Sequence, residues 1–241
     1  MPAHRVDTYS LFDGDLSHGK IFLLDGIGGV RMFANSFAKG LRAAGLAHDF
    51  EEFYWSQGML LAPIFADLWN TKHHQRQADR LADRIREYTS EHPGLPVHLV
   101  THSGGAAMGV FALERLSDNQ AVTSLVMVNA GLSPWYDLSP ALQRCTVGML
   151  SLSSWLDWFI LGIAITLVGT MDRWHCPAAG MVGFRVPKEK TGVYTRLHQV
   201  YWSPSYIWKR GWFGMHVSAG GHRFVKETIG GWIKRAETST S

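Results

Sequence analysis

The sequence predicts an α/β protein with a mostly parallel central sheet flanked by helices on both faces. Three observations carry this expectation. Short apolar runs, Lys20-Ile21-Phe22-Leu23-Leu24 and Val97-His98-Leu99-Val100, have the length and composition of buried strands. Each passes within a few residues through a glycine-containing turn into a helical pattern, the repeating unit of parallel α/β folds. The chain has 241 residues, 46% of them hydrophobic, which is enough to bury a full core in one domain. We therefore expect a single domain over 1–241, its core spanning about 20–234, with an apolar segment at 56–73 acting as cap or pocket lining.

After the first strand, Asp25-Gly26-Ile27-Gly28-Gly29 makes a tight turn, and Phe33, Phe37, Leu41 and Ala44 then recur at helical spacing. The turn lacks the G-x-G-x-x-G spacing of a dinucleotide site. The stretch 48–55 alternates weakly and supplies a second strand. Met59, Leu60, Leu61, Ile64, Phe65, Leu68 and Trp69 fit a helix, read either as core or as the wall of an acyl pocket. His73 and His74 cannot both face one ion from a helix, and they are expected at the surface. Residues 75–92 form an amphipathic helix with Ala78, Leu81, Ala82, Ile85 and Tyr88 inward and a solvated face of paired charges.

The central stretch is Leu95 to Leu116, LPVHLVTHSGGAAMGVFALERL. Thr101-His102-Ser103-Gly104-Gly105 stands between a strand and a helix, where small neighbours permit a sharp turn that exposes the serine. His102-Ser103-Gly104-Gly105 resembles the nucleophile elbow of the α/β-hydrolase superfamily, with Thr101 where that motif has its first glycine. The resemblance covers the chain from about Lys20 to Lys234 as an order of strands, helices and loops. It implies an α/β-hydrolase fold, Ser103 as nucleophile, and the N–H of Gly104 as one oxyanion donor. The other donor would come from Ile27 or Gly28, in a loop with Asp25 where the family often has histidine. A plain reading of Ser103 is a helix N-cap.

Further strands are expected at 122–128, 145–151 and 197–202. In the superfamily the acid follows the penultimate strand, which points to Asp157; Asp137 and Asp172 are the alternatives. The histidine lies between the last strand and the last helix, where His216 and His222 both qualify. The resemblance favours His216, and a charged imidazole at His222 would oppose the dipole of the helix it opens. The order Ser103, Asp157, His216 is that of a serine hydrolase cleaving a carboxylic ester (esterase- or lipase-type), with a thioesterase or a non-catalytic binding protein of the same fold as alternatives.

This chemistry requires neither metal nor cofactor. A net charge of +3 without a basic cluster argues against nucleic acid, and a small-molecule or lipid ester is the expected substrate. Trp202, Trp208 and Trp212 beside Lys209 and Arg210 suit an apolar acyl chain or transient contact with a membrane surface, and equally ordinary packing. Two cysteines and no secretory leader predict a cytoplasmic protein. The longest apolar run, 158–171, is too short to span a bilayer and is expected to form a buried helix.

Overall fold

A computed structural model describes residues 8–12, 14–58 and 61–239. The strands are β1 (Thr8–Phe12), β2 (Lys20–Leu24), β3 (Asp49–Phe53), β4 (Val97–His102), β5 (Val122–Val128), β6 (Cys145–Ser153) and β7 (Leu197–Tyr201). They form one sheet of order β1-β3-β2-β4-β5-β6-β7. From β3 to β7 all neighbours are parallel, while β1 pairs antiparallel with β3 at the edge. The six parallel strands overlap the stretches expected as strands, β3 on weak alternation and not on an apolar run. β1 was not anticipated, because its pairing partner lies about forty residues away and nothing local marks the segment.

The longer helices are α1 (Met32–Ala43), α2 (Leu61–Trp69), α3 (Thr71–Glu91), α4 (Gly104–Leu113) and α5 (Gly230–Thr238). Alternation along each strand assigns its side chains to two apolar layers. Phe22, Leu24, Leu99, Leu125 and Met127 pack beneath Leu68, Leu81, Ile85 and Val110 of α2, α3 and α4. Ile21, Leu23, Val100, Val126 and Val128 pack beneath Phe33, Phe37 and Leu41 of α1 and Trp232 and Ile233 of α5. Each such side chain, fully buried, contributes roughly 1.5–3 kcal/mol from apolar burial. β3 has a weak apolar signature because it buries Glu51 and Glu52, which are paired with Lys20 and Arg84 and with Arg31 respectively.

Two expectations fail. His73 and His74 are buried: their Nε2 atoms face the backbone carbonyls of Trp55 (2.6 Å) and Asp67 (2.5 Å). Their backbone carries them at adjacent positions of α3, yet both rings fold under the preceding loop. The apolar run at 158–171 is not a buried helix either. It forms a π-helical stretch, Trp158–Ala164, continued as α-helix over Ile165–Val168. Leu161 and Ile165 are buried, but Trp158, Phe159, Ile163 and Leu167 lie open, Leu167 at 73% exposure. No helix among the described residues is long and apolar enough to cross a membrane.

Register decides where the loops gather. Leu24 lies opposite Thr101, His102 opposite Val128, Val128 opposite Leu152 and Ser153 opposite Tyr201. The carboxyl ends of β2, β4, β5, β6 and β7 therefore open onto one edge. Strand order also reverses between β2 and β4, since the chain leaves β2 for β3 and returns past it to β4. Such a reversal opens a crevice in parallel α/β sheets.

Candidate active site

Ser103 stands at that reversal with φ 52° and ψ −120°, a backbone conformation rare for a residue bearing a Cβ. Strain of this kind costs about 1–3 kcal/mol and persists only where its surroundings enforce it. Here the N–H of Ser103 donates to the Val128 carbonyl, and its own carbonyl accepts from Ala106 and Gly131. A Cβ at Gly105 would lie 2.4 Å from the Asp25 carbonyl oxygen, so only glycine lets α4 leave the turn against β2. Thr101, the departure from the elbow pattern, donates its hydroxyl to the Val126 carbonyl at 2.8 Å. Room for its methyl comes from Gly109 one turn and a half along α4, where a Cβ would stand 3.2 Å from Thr101 Cγ2. The Ser103 hydroxyl makes no capping bond to α4, which removes the plain N-cap reading.

His216 follows β7 by a long loop, and its Nδ1 donates to Asp157 Oδ2 at 2.6 Å. A carboxylate accepts there, so Nδ1 carries a proton, and in the neutral ring the lone pair is the one on Nε2. Asp157, 3% exposed, ends the short turn after β6 and receives a second bond on the same oxygen from Asn129 Nδ2 at 2.7 Å. The carbonyl of His216 is held in turn by His102 Nε2 at 3.2 Å. His102 is stacked on Phe33 with ring centroids 3.7 Å apart, and burial pushes its pKa well below the usual histidine range, so it stays neutral. Asn129 and His102 were not foreseen as site residues. The signal for Asn129 is an asparagine at a strand end, a residue type that tolerates its φ of 52°.

The loop after β2 closes the other side. A Cβ on Gly26 would stand 3.5 Å from Ser103 Oγ, and one on Gly104 only 2.9 Å from Ile27 Cγ2, so this loop lies directly on the elbow. Gly28 is not available as an oxyanion donor: its N–H is already bound to Asp67 Oδ2 at 2.8 Å. Among the described residues no hydrogen bond takes up the N–H of Ile27 or Gly104. Asp67, fully buried on α2, also accepts from Ser56 Oγ and the N–H of Gln57, and thus pins this loop to the segment before α2. An acidic residue inside the otherwise apolar LAPIFADLW was the available clue to that anchor.

The other candidates lie elsewhere. His222 opens the last helix, is exposed, and does not line the cavity described below. Asp137 binds Ser139 and Lys190, and Asp172 binds the N–H and hydroxyl of Ser133. Neither reaches an imidazole, because both carboxylates are taken up by these other partners.

Ser103, His102, His216 and Asp25 line one cavity of about 540 Å³ whose remaining walls are apolar, including Ile27, Phe33, Ile64, Leu68, Ile160 and Ile165. The segment at 56–73 thus contributes pocket wall as well as core. Asp25 accepts the N–H of Phe33 at the start of α1, and its carbonyl receives Trp55 Nε1 at 2.8 Å. Burial pushes the Asp25 carboxyl up to about 7, and Glu52 adds to this against the backbone N–H groups and Arg31. The folded protein therefore holds this proton above the ordinary value of 3.8, and the resulting stability is complete below about pH 4 and is lost as pH rises through 7. The full span is on the order of 4 kcal/mol as an upper limit. Asp25→Asn should flatten the stability profile between pH 5 and 8 and exceed the parent by about 2 kcal/mol at pH 8.5 in urea unfolding. Parallel profiles for the two proteins would exclude this origin.

No family model matches the sequence, and no curated protein matches it. Solved structures do. A Thermus thermophilus protein superposes with a TM-score of 0.52 at 11% identity, covering 90% of this chain and 88% of its own. An esterase from Pyrococcus furiosus superposes with a TM-score of 0.50 at 9% identity, covering 90% and 83%. A Xanthomonas campestris protein assigned to the alpha/beta hydrolase superfamily gives 0.49 at 12% identity, covering 90% and 99%. At such identities the likeness to the first two, at TM-scores of 0.50 and above, speaks for the fold alone. With its six parallel strands, its strand-order reversal and its sharp turn at Ser103, the chain has the α/β-hydrolase fold.

Proposed function

We propose that the protein is a serine hydrolase that cleaves carboxylic esters with an apolar acyl group through an acyl-enzyme on Ser103. The observation that carries this reading is the convergence, in one apolar cavity, of a serine on a strained turn with a histidine whose Nδ1 is bound to a buried carboxylate. His216 Nε2 takes the Ser103 proton as Oγ bonds to the ester carbonyl carbon. Asp157 holds the tautomer and stabilises the imidazolium. The N–H groups of Ile27 and Gly104 receive the oxyanion, each contributing on the order of 3 kcal/mol. His216 then gives its proton to the departing alkoxide, and water attacks the acyl-enzyme by the same route in reverse.

The cavity size lies in the range of small-molecule sites, and the scarcity of polar groups selects for the acyl chain over a polar substrate. Val30, Phe65, Ile160 and Val217 line the cavity and are also exposed, and Trp158, Phe159 and Leu167 extend this apolar surface along the same segment as Ile160. An apolar rim of this kind favours substrates presented at a lipid–water interface.

The test is a fluorophosphonate probe with the adduct located by peptide mass spectrometry, followed by p-nitrophenyl esters and acyl thioesters of increasing chain length. Labelling of Ser103 is expected, with kcat/KM rising with acyl length and higher on the oxygen ester. A preference for thioesters would make the protein a thioesterase of the same mechanism. Folded protein that takes no label would favour a non-catalytic binding role for the cavity.

A further inference from the structure

A second cluster of chemistry-bearing side chains lies at the opposite end of the sheet, away from Ser103. His48 immediately precedes β3, His98 is the second residue of β4, and Glu237 lies near the end of α5. Because β2 separates β3 from β4, the two imidazoles approach each other across the start of β2, beneath the helix that carries the carboxylate. Their rings meet edge to face with centroids 5.7 Å apart.

We propose that His48, His98 and Glu237 form a Zn²⁺ site that clamps the C-terminal helix onto the sheet. Both Nε2 atoms point at the same carboxylate oxygen, Glu237 Oε1, at 2.9 Å from His48 and 3.2 Å from His98. The donor atoms of all three residues lie within 4.8 Å of one another. Around tetrahedral Zn²⁺, bonds of about 2.0–2.1 Å set donor atoms roughly 3.3 Å apart, so only small shifts would admit the ion. His48 is 3% exposed and His98 is fully buried, and apart from the Glu237 contact neither Nε2, nor His48 Nδ1, meets a hydrogen-bond partner among the described residues. Buried imidazole nitrogens left in this state are costly, and a cation bound to their lone pairs removes that cost.

The surroundings suit ligation. His98 Nδ1 lies 2.8 Å from Ser124 Oγ, an outer contact that orients the ring with Nε2 toward the cluster. Two imidazole nitrogens and one carboxylate oxygen are ligands that Zn²⁺ takes, with the fourth position left for water. An open cavity of about 560 Å³, lined by His92, Pro96 and Thr123, reaches the cluster at Glu237. The ion takes no part in the serine chemistry, and the proposal does not depend on it.

The experiment is calorimetric titration of metal-stripped full-length protein with Zn²⁺, together with thermal melts and the visible spectrum of the Co²⁺ form. We expect one equivalent to bind at ~10 μM or tighter. The melting temperature should rise by roughly 5–10 °C at a hundredfold excess over Kd. Tetrahedral Co²⁺ bands should accompany binding. Glu237→Gln, at a partly exposed position close to the chain end, should weaken binding at least ~10-fold, and Ser124→Ala should weaken it by about 10–100-fold. Protein carrying a fluorophosphonate label should bind Zn²⁺ unchanged, which separates this site from the first. Absence of saturable binding to the folded parent overturns the proposal, as does undiminished binding by both Glu237→Gln and His48→Gln.

Discussion

Replacing Ser103 by alanine should lower kcat for the best ester by about 10⁶-fold while leaving the protein folded, and His216→Ala should match it. The reason for the equality is that the two groups act as one unit. A hydroxyl without a base nearby is a poor nucleophile, and a base without the hydroxyl has nothing to activate. The double variant should therefore lose no more than either single one, retaining about 10³–10⁴-fold over water from the oxyanion donors and substrate binding. His222→Ala should change kcat by less than about twofold, because that side chain is exposed outside the cavity. Steady-state kinetics on purified variants decides it. A loss confined to tenfold in Ser103→Ala would sink the mechanism, and a large loss in His222→Ala would move the base.

The second large effect is at Asp157. Asp157→Asn preserves volume but removes an anion that accepts two N–H bonds on one oxygen, from His216 Nδ1 and from Asn129 Nδ2. An amide turned with its NH2 toward these donors leaves His216 in the wrong tautomer, and one turned the other way supplies no charge to the imidazolium. A loss of about 10⁴-fold in kcat is expected with KM little changed. Asn129→Ala, which removes only one of the two donors, should cost less than Asp157→Asn. Equal losses in the two variants would mean that Asn129 contributes to more than the orientation of the carboxylate. Retained activity in Asp157→Asn would return the acid to one of the other carboxylates, although Asp137 is paired with Lys190 and Asp172 is bound by Ser133.

Much of this was legible in the chain. Strands β2, β4 and β5 are written as short apolar runs because both faces of the sheet are covered there, and burial on both sides is a local compositional demand. The elbow was legible because a strand, a serine and two glycines occupy consecutive positions. His216 and Asp157 were legible only as members of short sets of alternatives, through the order of elements. Partner choice among them depended on where loops separated by tens of residues meet. That is fixed by strand register, which puts the ends of β4, β5 and β6 on one edge and brings Asn129 and Asp157 within hydrogen-bond distance.

The errors have the same origin. Gly28 reads as an oxyanion donor in the sequence, but Asp67, the one acidic residue of an otherwise apolar helix, holds its N–H. The run at 158–171 reads as a buried helix because hydrophobicity alone does not say which side of a helix meets the sheet, and here a large part faces outward beside the cavity. His73 and His74 looked solvated because nothing local records that two backbone carbonyls wait beneath them. What the sequence by itself determined is the fold class, the six parallel strands and the elbow, since each is set by short-range pattern. Only the tertiary structure decided which histidine meets which carboxylate, which N–H groups stay free, and how His48, His98 and Glu237 meet, because hydrogen-bond direction and burial arise only when distant segments share one space.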